Sequence, residues 1–416
     1  MKASDLLVEC FEREGVEYVL GVPGEENADF LLSLDQSDQI RFVLTRHEQG
    51  AAFMADAYGR LTGNPAVALD TLGPGATNLV TGVANANMDR SPMIVLTGQG
   101  DVQLRHKESH QVMDAVEMFA PITKWAHAIR HPDTIPEVVR KAVRLCRTEK
   151  PGAVHIELSE DAAKLPTQAR PLQPRRFRRP AGDEKALSDT AKLLKSSHRP
   201  VIIAGNGTIR RRASSQLRRL CEKTGIGVVS TFMAKGCVDM GADYCLYGIG
   251  LQQHDQVSLH VANSDQVITI GYDMAEYPPR LWNDQGRKPI VHIDFVPAEI
   301  DAHYHPEVEV VGDIGQILAA VAERLEIEGY PAIDLAGHEE TRRIMAITGD
   351  GDFLMNVQEM ETARRLNADI TVMVWEDRDY GLITWKQEAE FGWHVDMTFG
   401  NPRWGPLAEA FGWQCQ

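Results

Sequence analysis

The chain has 416 residues, 43% of them hydrophobic and 25% charged, which is enough for two or three domains with separate cores. A net charge of −16 excludes a dominant basic surface and argues against a nucleic-acid partner. Six cysteines at 10, 146, 221, 237, 245 and 415 form no C-x-x-C pair, so neither a disulfide framework nor a zinc site is expected, only the usage of a reducing compartment.

The N-terminal "MKASDLLVECFEREGVEYV" carries acids inside its first apolar stretch and reads as an amphipathic helix, not a signal peptide. No run of about 18 apolar residues follows, so no membrane span is expected and the protein is expected to be cytoplasmic. Over residues 1–165 short apolar runs read as buried strands: "YVLGVPG" (18–24), "RFVLT" (41–45), "AVALDT" (66–71), "MIVLTG" (93–98) and "AVHIEL" (153–158). Between them "EQGAAFMADAYGRLTG" and "TIPEVVRKAVRLCRTE" have helical periodicity. Such alternation implies a mostly parallel, doubly wound sheet.

Residues 166–183, "PTQARPLQPRRFRRPAGD", are rich in proline and arginine and read as a domain linker. The basic run 175–179 and its counterpart at 210–212 read as a solvated linker and a helix start. A second α/β domain is expected over 184–330, with strands in "PVIIAGNG", "GVVST", "QVITIG", "PIVHIDF" and "VEVVGD" and a helix near 212–224. Its "GNG" at 205–207 fits a tight turn better than a nucleotide site.

A third piece, 344–416, begins with "IMAITGDGDF". "IMAIT" reads as a strand, Gly349-Asp350-Gly351 as the turn at its end, and 353–366 as one crossover helix with Phe353, Val357, Met360 and Ala363 on a face. "DITVMVW" (369–375) is the next strand, and Asp377 lies just beyond it. A right-handed βαβ unit makes the strands parallel and brings both carboxylates to one sheet edge. They would repel unless a hard divalent cation such as magnesium sat between them with substrate phosphates. The flanking glycines and the helix N-terminus would favour a diphosphate. The alternative is that Asp350 is a helix cap and Asp377 a turn residue.

"GDGDFLMNVQEMETARRLNADITVMVWEDRDYGL" resembles the thiamine-diphosphate signature, as found in acetolactate-synthase-like enzymes. "GVPGEENADFL", "LTRHEQGAAFMADAYGRLTG", "LGPGATNLVTGVANANMDRSPMIVLTGQ" and "HQVMDAVEMFAPITKW" resemble the pyrimidine-binding domain of the same family. The resemblance covers nearly all of 1–330 and 344–416. It implies three doubly wound parallel-sheet α/β domains: pyrimidine-binding (1–165), middle (184–330) and a truncated diphosphate-binding domain (344–416). The metal ligands it implies for Mg2+ are Asp350, Asp377 and the main chain of Asp379, with Gly349 and Gly351 beside the diphosphate. An Asp at 377 is more like the catabolic, flavin-free acetolactate synthases, so FAD is allowed but not expected. Glu376 stands where the family usually has Asn.

The resemblance also implies that Glu48 is catalytic and cofactor-binding. In the family this carboxyl bonds N1′ of the aminopyrimidine and favours the imino tautomer that takes the thiazolium C2 proton, so it must hold or share a proton near neutral pH. Read without the family, Glu48 is a dipole-favoured residue in a helix first turn. Gly24, Gly73, Asn78 and Gln111 are placed near cofactor or substrate, although Gly73-Pro74-Gly75 alone reads as turn chemistry. His47, Lys107 and His110 are candidates for the substrate carboxylate or else solvated, and Trp375, Trp385, Trp393, Trp404 and Trp413 are expected in core or interface packing.

The implied activity is decarboxylation of pyruvate and transfer of the two-carbon unit to a second 2-oxo acid, in a homodimer or homotetramer sharing sites between subunits. Another 2-oxo acid decarboxylase or carboligase, or a non-catalytic remnant, are the alternatives. One departure stands out. The family places about two more strand–helix units before Gly-Asp-Gly, where here "AERLEIEGYPAIDLAGHEETRR" runs directly into "IMAIT", and a further strand and helix after Gln416. Either residues are omitted from this sequence or the deletion is real. Omission is the expectation, because a retained Asp350–Asp377 pair makes little sense without its sheet.

Overall fold

The computed structural model describes residues 1–175, 178–210, 212–249, 256–327, 344–355, 357–365 and 370–415. Arg176, Phe177 and Arg211 of the basic runs, residues 328–330 of the expected middle domain and Gln416 lie outside the described residues. The chain forms two compact units: Met1–Pro174 with His338–Gln416, and Arg175–Gly337.

In the first unit, strands β1 (Tyr18–Gly21), β2 (Arg41–Leu44), β3 (Ala66–Asp70), β4 (Met93–Gln99), β5 (Ala126–Ile129) and β6 (Ala153–Ser159) form one sheet. Its order is β2-β1-β3-β4-β6-β5, and every neighbouring pair is parallel. Every residue of β3, β4 and β6 is buried, as a parallel sheet covered on both faces requires. One face packs Val67, Leu69, Ile94 and Leu96 against Phe11, Phe30 and Val139. The other packs Ala68 and Val95 against Ala51, Ala52, Leu79 and Val83 on the helices Glu48–Thr62 and Pro74–Met88.

The second unit repeats the plan with β7 (Pro200–Ala204), β8 (Gly227–Ser230), β9 (Cys245–Gly248), β10 (Gln266–Ile270), β11 (Ile290–Asp294) and β12 (Val308–Val311), ordered β12-β11-β10-β7-β8-β9. β5 was not expected from the sequence, and β9 is a sixth strand, which the middle domain allowed but to which no segment was assigned. Both are four-residue edge strands paired on one side only, so they need no continuous apolar run. The "GNG" expected as a tight turn instead leads from β7 directly into the helix Asn206–Arg210; a Cβ on Gly207 would lie 2.6 Å from the Gly271 Cα, so glycine here serves close backbone packing.

The expected linker is partly anchored. The Thr167 amide bonds the Met1 carbonyl at 3.0 Å and its hydroxyl bonds Asp133 at 2.6 Å, within the first unit. Arg179 pairs with Asp313 at 3.1 Å within the second.

The remaining strands, β13 (Ile344–Gly349) and β14 (Ile370–Trp375), pair in parallel with Gly349 opposite Trp375. The crossover differs from the single helix expected over 353–366. It consists of two short helices, Asp350–Met355 and Glu359–Arg365. The amides of Met360 and Glu361 reach back three residues, to the carbonyls of Val357 and Gln358, so the chain turns there before a new helix starts. Nor is there a turn at Gly349-Asp350-Gly351, since Asp350 opens a helix directly after the strand. Among the described residues this sheet has two strands. It leaves Trp375, Trp385 and Trp393 more than half exposed, against the expectation that they are packed. No helix of the described residues is long and apolar enough to cross a membrane.

Candidate functional site

In the first sheet the chain moves outward from β1 to β2, returns to β3 on the other side of β1 and continues to β4. The β1/β3 junction is thus a switch point, and ligands bind outside the carboxyl ends of strands at such points. Gly24 follows β1, Glu48 follows β2, and Asp70 and Gly73 lie at the end of β3.

Glu48 begins the helix Glu48–Thr62, whose N-cap is His47 in extended backbone. The His47 Nδ1 accepts the Gln49 amide at 3.0 Å, so this nitrogen is committed to capping. The Glu48 side chain is 15% exposed and its Oε2 lies 3.8 Å from His47 Nδ1. Asn78 Nδ2, from the helix Pro74–Met88, donates to that same oxygen at 3.0 Å. Two residues named separately from the sequence are thereby joined in one contact.

Gly24 donates its amide to Asn27 Oδ1 at 2.9 Å. A Cβ here would lie 2.6 Å from the Thr71 side chain, so the loop after β1 runs hard against the loop after β3. Gly73 adopts φ 54, ψ −121, a region only glycine enters readily. A Cβ on it would lie 2.5 Å from the Gln111 carbonyl oxygen. Gln111 itself has φ 54 and an exposed side chain, as do Lys107 and His110. Their loop is anchored by Arg105, whose guanidinium pairs with Glu157, a residue 1% exposed. Gln99 Nε2 donates to the same carboxylate at 3.0 Å.

The second cluster follows β13 and β14. Asp350 is 1% exposed. Its Oδ1 accepts the Gly351 amide at 3.0 Å. Its Oδ2 accepts the Arg378 amide at 2.8 Å and Asn401 Nδ2 at 2.6 Å. Burial pushes this carboxyl up, but the bonds from Asn401, Arg378 and Gly351 outweigh it and hold the group below its ordinary value. Asp377 lies in the exposed loop beyond β14. Its Oδ1 accepts the Asp379 amide at 3.3 Å, and a Cβ on Gly381 would lie 2.7 Å from its Oδ2. The Asp379 Oδ2 accepts the Thr384 hydroxyl at 2.8 Å, while its Oδ1 is buried without a partner. Gly349 ends β13 in register with the last residue of β14.

Asn401 was not foreseen, because nothing in "TFGNPRW" marks it. Its Oδ1 is buried without a partner and adds an oxygen donor to those of Asp350 and Asp377. Such an all-oxygen set suits a hard cation such as magnesium. Among the described residues no cluster of three His, Cys, Asp or Glu side chains is poised for a metal, so a cation here depends on two carboxylates plus amide and main-chain oxygens. Glu376, the departure from the family pattern, accepts Arg378 Nε at 2.5 Å and Trp404 Nε1 at 2.8 Å and so ties the Asp377 loop to the last helix.

The two clusters belong to one unit. Arg46, two residues before Glu48, pairs with Glu361 at 2.8 Å, and the Arg365 guanidinium donates to the Leu44 carbonyl. The short helix Glu359–Arg365 thus holds the end of β2.

Three family models of thiamine pyrophosphate enzymes match the chain in order: the N-terminal TPP-binding domain at 1–118, the central domain at 187–321 and the C-terminal TPP-binding domain at 327–416. Among relatives, an acetolactate synthase of Bacillus subtilis is 29% identical over 99% of this chain and 87% of its own length. A catabolic acetolactate synthase of Raoultella terrigena is 28% identical over 98% and 89%. A probable acetolactate synthase large subunit of Methanocaldococcus jannaschii is 37% identical over 76% of this chain, which spans 55% of that relative. The Bacillus alignment runs over 501 positions, 85 more than the 416 residues of this chain, so the relative carries stretches with no counterpart here.

Proposed function

Because the chain belongs to the thiamine pyrophosphate enzymes, we propose that it decarboxylates pyruvate and transfers the two-carbon unit to a second 2-oxo acid. The observation that carries this reading is Glu48, mostly buried at a helix start with Oε2 held by Asn78 at 3.0 Å. When bound, thiamine diphosphate supplies the electron sink for decarboxylation.

With the cofactor bound, the Glu48 carboxyl would bond N1′ of the pyrimidine, and Asn78 fixes that carboxyl. Gly24 and Gly73 let the loops after β1 and β3 pack tightly against Thr71 and Gln111, at the edge of the sheet where the cofactor would bind. Asp350, Asp377 and the main chain of Asp379 would hold Mg2+, which would in turn bind the diphosphate. The Arg105–Glu157 pair sets the loop carrying Gln111, and its exposed Lys107 and His110 are offered to a substrate carboxylate. The working molecule is a cytoplasmic homo-oligomer without FAD.

The test is Glu48→Gln in a pyruvate-consumption assay with thiamine diphosphate and Mg2+. Loss of a general acid–base group costs roughly 10²–10⁴ in rate, and unchanged turnover would refute the reading. Acetoin after acidification marks acetolactate, whereas free aldehyde marks a simple decarboxylase. A second reading, a non-catalytic remnant, is favoured by the β13–β14 sheet, which among the described residues has two strands and exposed tryptophans. Calorimetric titration with thiamine diphosphate and Mg2+ separates the two, since the remnant gives no saturable heat.

A further inference from the structure

Asp70 is the last residue of β3 and is 0% exposed. Neither of its carboxylate oxygens meets a hydrogen-bond partner. An unpaired buried carboxyl is costly, and no ion pair or cap here gives it a structural use.

Its neighbours are informative. A Cβ on Gly75, in the first turn of the helix Pro74–Met88, would collide with Asp70 Oδ2. Three residues on, Asn78 donates to Glu48 Oε2 at 3.0 Å. Positions three apart share one helix face with Cβ atoms roughly 5–6 Å apart, so a single helical turn touches both carboxyls. Beside Asp70, the Thr71 hydroxyl donates to Glu26. The helix Pro74–Met88 carries no titratable side chain. On the adjacent strand Thr97 stands in register with Asp70, its hydroxyl 2.9 Å from Nε2 of His155, which burial keeps neutral with a pKa near 3. The charges facing Asp70 are therefore those of Glu48 and Glu26.

We propose that Asp70 is a positioning residue for Glu48, its carboxyl setting across the first turn of the Pro74–Met88 helix how readily Glu48 keeps its proton. The proposal rests on the reading of Glu48 given above. Burial pushes the Asp70 carboxyl up; the Thr71 amide pulls it down without forming a well-aligned bond, and Glu48 and Glu26 push it up again, to about 7. The Asp70 proton thus comes off near neutral pH and not in the ordinary carboxylate range. Each proton lost there leaves a negative charge that makes Glu48 release its own less readily.

The experiment is an infrared titration of the cofactor-free full chain, following the carbonyl stretch of protonated carboxyls in wild type, Asp70→Asn and Glu48→Gln. The expected result is a band that disappears with a midpoint near 7, is absent in Asp70→Asn, and in Glu48→Gln titrates at lower pH by about threefold or more in proton affinity. By linkage Asp70→Asn weakens Glu48's hold on its proton by the same factor, so the alkaline limb of kcat/KM moves to lower pH while Asp70→Glu restores it. A midpoint unmoved in Glu48→Gln overturns the proposal, because the two carboxyls are then uncoupled. Turnover of Glu48→Gln judges the Glu48 reading separately: activity lost with an unmoved midpoint sinks the coupling alone, and a moved midpoint with activity intact sinks that reading alone.

Discussion

Asp70→Asn should stabilise the protein, and more at alkaline than at acidic pH. The ordinary Asp value of 3.8 rises to about 7 in the folded chain, a difference of about 3 units, or about 4 kcal/mol at 1.36 kcal/mol each. Because the folded state binds this proton more tightly than the unfolded state, the cost of Asp70 is absent below about pH 4. It grows as pH rises towards 7 and is complete above that. Full burial leaves no solvent to screen it. Between pH 5 and pH 8.5 the stability of wild type should therefore fall relative to Asp70→Asn by about 3 kcal/mol. Urea denaturation of both proteins at the two pH values measures this directly. An equal difference at both would mean that Asp70 ionises as an exposed carboxyl does, and the burial argument would be wrong.

Gly75→Ala places a methyl against Asp70 Oδ2 and should cost about 1–3 kcal/mol by overpacking. In an Asp70→Ala background the same change should become neutral or stabilising by up to about 1 kcal/mol, the helix preference of alanine over glycine, which a double-mutant cycle reads out. Arg105→Ala strands the buried Glu157 carboxylate with Gln99 and should destabilise by about 3 kcal/mol, with faster proteolysis within 100–112 than in wild type. Asn401→Ala removes a donor at 2.6 Å from Asp350 Oδ2 together with an unpartnered buried oxygen. Calorimetry should show weaker binding of thiamine diphosphate with Mg2+, while the pH dependence assigned to Asp70 stays as in wild type.

The parallel α/β plan was legible because strands buried on both faces leave a dense apolar signature: "AVALDT" and "MIVLTG" cannot be mistaken for loops. The edge strands β5 and β9 were not, since "AHAI" and "CLYG" are paired on one side only and carry no continuous buried run. Glu48 and Asn78, 30 residues apart, were each named through family motifs, but their bond depends on how the helices Glu48–Thr62 and Pro74–Met88 pack. Gly82 allows that packing: a Cβ on it would lie 2.5 Å from the Ala52 side chain. Asn401 stayed invisible for a related reason. It reaches Asp350 across 51 residues from a segment with no periodicity to reveal its direction.

Asp70 shows a different limit. Within "AVALDT" it reads as a polar residue closing a strand, the usual place for a turn former. Its significance depends on what is missing around it, namely a partner for either oxygen, and a sequence records partners only where they are local. The surrounding glycine pattern reads differently once this is known. Gly75 is one of the two glycines of "GPG", which alone suggested turn chemistry, yet it lies inside a helix at an ordinary backbone angle. What requires glycine there is the carboxylate beneath it. The residue that makes room for Asp70 and the residue that holds Glu48 therefore sit on one helical turn, so a change at either carboxyl is felt at the other through three residues of backbone.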